Sequence, residues 1–139
     1  MVTQTTRPTP KYKDFYNNFD AHPVRKDLFV LTDVDSVKNS IKNLIFTDPG
    51  ERFFNPYLGG GIKQSLFEDV STITSYNIQT HIETTIENFE PRARLIAVYV
   101  TPYTPSGFDD QNSYTVTIVF STINNPAPIT FDVLLTRVR

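Results

Sequence analysis

The sequence predicts an α+β domain, with helices packed on one face of a small C-terminal antiparallel sheet and an extended N-terminal arm in front. Three observations carry this prediction. Apolar residues recur at helical spacing over Val37–Ile45 and again over Ile78–Phe89. They alternate with polar residues from Tyr114 to the C-terminus. Before Leu28, prolines 8, 10 and 23 break every regular period.

Residues 1–27 form the arm. They carry Tyr12, Phe15, Tyr16 and Phe19, unusual in a merely disordered tail. Residues 28–139 form one domain. Leu28-Phe29-Val30-Leu31 is a short strand, and Thr32, Asp33 and Asp35 are N-cap candidates for the helix that follows. That helix places Val37, Ile41, Leu44 and Ile45 on one face and Lys38, Asn39, Lys42 and Asn43 on the other. Thr47-Asp48-Pro49-Gly50 stops it. An aromatic loop runs to Gly59-Gly60-Gly61, then a short amphipathic turn holds Ile62, Leu66 and Phe67. A longer helix starts near Ser71–Ser75, keeps Ile78, Ile82, Ile86 and Phe89 in a stripe, and ends at Pro91. Leu95–Thr101 is a strand, 104–113 a long hairpin loop, and Asn124-Asn125-Pro126 the turn between the last two strands.

Composition excludes several functions. With 13 basic and 15 acidic residues intermixed, no basic stripe exists to follow a phosphate backbone, so no nucleic-acid partner is expected. No cysteine and two distant histidines, His22 and His81, leave little for a metal. No apolar run approaches the roughly 20 residues of a spanning helix, and Met1–Pro10 lack a signal peptide's apolar segment. Neither a membrane, a cofactor nor a small-molecule substrate is expected. The glycine run lacks the Lys-Ser/Thr of a phosphate loop and reads as a permissive joint.

Carboxylates are the remaining chemistry. Glu83, Glu87 and Glu90 share a helix face, a pattern usually solvated rather than catalytic. Glu90 stands apart, because the helix dipole disfavours an acid at a C-terminus and Glu87 adds repulsion. A compensating cation is expected, with Arg92, Arg94 and Arg52 as candidates. Pro91 stiffens the turn, so Glu90-Pro91-Arg92 is a rigid elbow. It is either an internal salt bridge closing the turn or a docking elbow for another protein.

The ordered set of segments adds a further argument. Ser40-Ile41-Lys42-Asn43-Leu44, Pro49-Gly50-Glu51-Arg52-Phe53-Phe54-Asn55-Pro56-Tyr57-Leu58-Gly59, Leu66-Phe67-Glu68 and Asn88-Phe89-Glu90-Pro91-Arg92 follow one another at sensible spacing. Over roughly residues 22–138 the chain resembles the baseplate-wedge family of contractile phage tails, which includes the small baseplate subunit of type VI secretion systems. Phe53 departs from the pattern, and loop 104–112 takes nothing from it. The resemblance implies a virion subunit assembled in the host cytoplasm, with no enzymatic activity. It implies partner binding by Glu90, Pro91 and Arg92 to the core bundle that joins wedge subunits, satisfied across that interface. It also implies a sheath template on two strands, read through Tyr114, Val116, Ile118 and Phe120 and through Ile129, Phe131, Val133 and Leu135. The tail tube or hub is a further implied neighbour. Because the family has carried a lysozyme label, a peptidoglycan-cleaving enzyme is the rival expectation.

Overall fold

The computed structural model describes residues 11–103 and 113–137. The first ten residues of the arm, loop 104–112 and the last two residues lie outside them. In chain order the elements are β1 (Lys13–Phe15), β2 (Val30–Thr32), α1 (Val34–Phe46), α2 (Ile62–Ser65), α3 (Thr72–Phe89), β3 (Ala93–Tyr103), β4 (Ser113–Thr122) and β5 (Asn125–Thr136).

The three C-terminal strands form an antiparallel meander in the order β3-β4-β5. Period-two alternation splits it into two faces. Register stacks Val98, Ile118 and Phe131 in one row and Val100, Val116 and Val133 in the next. These inner rows pack with the helical stripes, and Ile41, Ile78, Ile82, Ile86, Ile118 and Phe120 are all fully buried. On the outer face, Tyr99, Thr117 and Asp132 line up, and the Thr117 hydroxyl donates to Asp132 Oδ1 at 2.6 Å. The α+β architecture is therefore as the alternation and the helical stripes predict.

Helix ends follow local chemistry. Ser71 caps α3 by accepting from Thr74 N–H at 3.1 Å. At the other end Glu90 N–H still reaches Ile86 C=O, and Pro91 then halts the helix. Asp33 occupies the N-cap position of α1, yet its side chain makes no capping bond there.

Within the segment read from sequence as an irregular arm, Lys13–Phe15 pairs antiparallel with Val30–Thr32. A turn and an Ala21–Leu28 bridge join the two. Three-residue strands are too short to impose a visible period, which is why alternation did not reveal β1.

Candidate functional site

The elbow forms where α3 passes into β3. Ala93 N–H donates to Glu90 C=O at 3.1 Å, closing the turn around Pro91. The two charged side chains then face each other. Arg92 Nε donates to Glu90 Oε1 at 2.6 Å and a terminal guanidinium nitrogen donates to Oε2 at 2.8 Å. The pair is bidentate, the strongest geometry open to a carboxylate and a guanidinium. Glu90 is 2% exposed, whereas 30% of the Arg92 side chain remains open. Burial pushes the Glu90 carboxyl upward, but the Arg92 and Ser40 hydrogen bonds outweigh it and hold it below the usual glutamate range. Glu90 raises Arg92 in turn.

The structure chooses among the three candidate cations. The cation that compensates Glu90 is supplied by the chain itself, and it is Arg92; Arg52 and Arg94 make no ion pair among the described residues. The reason is distance: a two-residue step across a proline turn brings the groups together without ordering any further chain. Sequence reasoning missed two supporting residues. Ser40, on α1, reaches the carboxylate, and the Tyr12 ring lies 5.5 Å from the Arg92 guanidinium carbon. Only tertiary packing places either beside residue 90.

A correction concerns the sheet. Tyr114, Val116, Ile118 and Phe120 belong to β4, the middle strand, whose two edges are taken by β3 and β5. Their side chains are fully buried in the core. β4 therefore has no free backbone to offer an incoming strand. Ile129, Phe131, Val133 and Leu135 belong to β5, which pairs on one side only. Pro126 and Pro128 open that strand, and prolines are tolerated at sheet edges. Alongside β5, an open groove of about 470 Å³ runs between Phe131–Leu134 and the α1 residues Lys38, Lys42 and Phe46.

The aromatic loop is shaped by its surroundings. Lys63 bridges Asp48 at 2.8 Å and Glu51 at 2.9 Å, and Gly50 N–H donates to Pro56 C=O at 2.7 Å. The Lys63 hydrogen bond lowers the Glu51 carboxyl, and those of Asp48 and Glu51 raise Lys63. Gly59 has φ +137°, and a side chain there would meet Thr47 C=O at 2.4 Å. The glycine run is thus a tight backbone crossing. Phe53, Phe54 and Tyr57 are left at 98%, 105% and 83% exposure.

The acids do not form a catalytic pair. Glu83 accepts a hydrogen bond from Gln79 at 2.9 Å, Glu87 is exposed, and Glu90 is neutralised by Arg92. A cleft of about 770 Å³ between the glycine turn and α3 has a single carboxylate in its lining, Asp48, already tied to Lys63. Among the described residues no cluster of three His, Cys, Asp or Glu could hold a metal, and no helix is long and apolar enough to cross a membrane.

The helix-covered antiparallel meander is a fold also found in chains of two baseplate structures. The baseplate of the anti-feeding prophage contains a chain of this fold, with a TM-score of 0.61 and 21% identity, over 92% of this chain and 87% of that one. The type VI secretion baseplate complex contains another, at 0.55 and 13% identity over 75% and 93%. A Geobacter sulfurreducens protein labelled a tail lysozyme also shares the fold, at 0.68 and 21% over 80% and 97%. The family described as baseplate wedge protein gp25 matches residues 32–127, and the chain belongs to that family. Baseplate wedge protein gp25 of Enterobacteria phage T4 is 36% identical over 104 residues, 75% of each chain.

Proposed function

We propose that this chain is a structural wedge subunit of a contractile-tail baseplate, that it docks on the wedge core bundle through Glu90, Pro91 and Arg92, and that it starts the sheath by accepting a strand on β5. The elbow carries this reading. A buried bidentate pair across a proline turn fixes the guanidinium in space, and 30% of the Arg92 side chain stays open to solvent. A preset charge pays less ordering entropy on docking than a free side chain. The unpaired edge of β5 and the groove beside it support the sheath role. Sheath protein and core-bundle proteins are the partners, with tube or hub as a further neighbour. The subunit assembles in the host cytoplasm and resides in the virion, with no part for nucleic acid, membrane or cofactor.

The lysozyme alternative has little to stand on. A glycosidic general acid needs a carboxyl raised toward neutrality, and Glu90 is held in the opposite direction. Incubation with labelled peptidoglycan over about pH 4–8 should release no muropeptide; turnover abolished by Glu83→Gln, Glu87→Gln or Glu90→Gln would overturn the structural role. For the sheath, Thr130→Pro on the β5 edge should leave a folded monomer whose baseplates no longer start sheath polymerisation. Sheaths of normal length on such baseplates would refute strand addition.

A further inference from the structure

Arg92 has two faces. The inner face holds Glu90. The outer face is covered by the chain's own arm: the Tyr12 ring lies 5.5 Å from the guanidinium carbon, and the Asp14 carboxylate acts on it electrostatically. Two residues apart, Tyr12 and Asp14 share one side of an extended segment.

That segment is lightly held. β1 pairs with β2 over three residues, and no residue from Lys11 to Asp35 is fully buried. Its other ties are one edge-on ring contact, Tyr16 to Phe29 at 6.1 Å between centroids, the Tyr12 ring at Arg92, and polar bonds near the surface. Asp33 Oδ1 accepts from the N–H groups of Lys11 at 2.9 Å and Tyr12 at 3.2 Å, and Asn17 bonds Asn39 and Asn43 on α1. Segments with few buried apolar contacts open at low free energy.

Asp33 also bears a local cost. It sits at φ +44°, a region that side chains other than glycine disfavour. From the N-cap position of α1 its carboxylate could satisfy a helix N–H, but it holds the arm instead. Release of the arm would free that carboxylate for the helix. The arm thus has a bound position and a competing alternative.

We infer that β1 is a displaceable strap, and that the outer face of Arg92 recognises a partner segment presenting a carboxylate beside an aromatic ring, the chemistry that Tyr12 and Asp14 supply in the free chain. The inference rests on the docking reading of the elbow and adds what the partner must offer and what must move. A guanidinium takes a ring on its face and a carboxylate at its edge, so the strap and the partner compete for the same atoms.

A reversible lock tests the movement. Lys13 and Thr32 are Cα partners across β1 and β2, and such pairs lie about 4.5–5.5 Å apart, within disulfide range. The chain has no cysteine of its own. Full-length Lys13→Cys/Thr32→Cys is titrated, oxidised and then reduced, into the wedge complex of its own tail assembled without this subunit. Oxidation should weaken binding at least about tenfold and reduction should restore it, while Tyr12→Ala/Asp14→Ala should bind severalfold more tightly than the parent. Equal binding of the oxidised and reduced forms overturns the strap, as does weaker binding by Tyr12→Ala/Asp14→Ala, which would make the arm part of the interface. Arg92→Ala, measured at a temperature where it is folded, separates the two ideas. If it binds as tightly as the parent, the docking reading itself fails, whatever the lock does.

Discussion

Arg92→Ala strips a buried carboxylate of the one cation that pairs with it among the described residues. Glu90 is 2% exposed and loses hydrogen bonds of 2.6 and 2.8 Å, retaining the one from Ser40. Breaking one side of a buried ion pair costs about 3–5 kcal/mol. Here 30% of the Arg92 side chain is open, so water enters the vacated space and the cost falls below that range, to about 2–3 kcal/mol. For a chain of 139 residues that corresponds to a melting temperature lower by about 6–15 °C. Circular dichroism melts at neutral pH measure it, with Arg92→Ala/Glu90→Gln as the control. The neutral amide removes the stranded charge, so the double variant should recover part of the loss. A shift under about 2 °C for Arg92→Ala would refute the reasoning, because it would mean that the pair carries only the weight of an exposed ion pair.

The same pair sets a pH dependence. The folded carboxyl of Glu90 lies below its ordinary value of 4.5, so its stabilisation is complete above that value and is lost as pH falls through the depressed one. The melting difference between the parent and Glu90→Gln should therefore narrow below about pH 4, and a constant difference down to about pH 2 would count against the assignment. Gly59→Ala should cost about 2–3 kcal/mol, since φ +137° and a 2.4 Å approach to Thr47 C=O both oppose a Cβ; the shift in urea midpoint reads it. Phe53→Ser/Phe54→Ser should change stability by no more than about 0.5 kcal/mol and raise solubility, because both rings already lie in water. A large loss of stability in that variant would show that the rings pack against the domain.

Much of this molecule was determined by the sequence read alone. Val37, Ile41, Leu44 and Ile45, and then Ile78, Ile82 and Ile86, are buried where helical spacing places them. The alternation of Tyr114–Phe120 and Ile129–Leu135 assigns the inner face of the sheet. These are local patterns, fixed by the backbone period of each element. The unusual position of Glu90 was legible as well, because a helix dipole is a property of the helix itself.

What lay beyond the sequence required contacts between distant segments. Alternation tells which face of a strand is buried but not which strand is central; only the order β3-β4-β5 removes β4 from the sheet edge and leaves β5 there. The cost at Glu90 announced a cation without choosing among Arg52, Arg92 and Arg94, because that choice depends on how the chain turns after Pro91. Ser40 and Tyr12 join the elbow from 50 and 78 residues away in sequence, and no local period encodes such a meeting. Nor does any period encode the Lys63 bridge that shapes the aromatic loop, or the strap drawn over Arg92 by Asp33. Patterns in a chain specify what each element buries; the tertiary structure alone decides which charges meet.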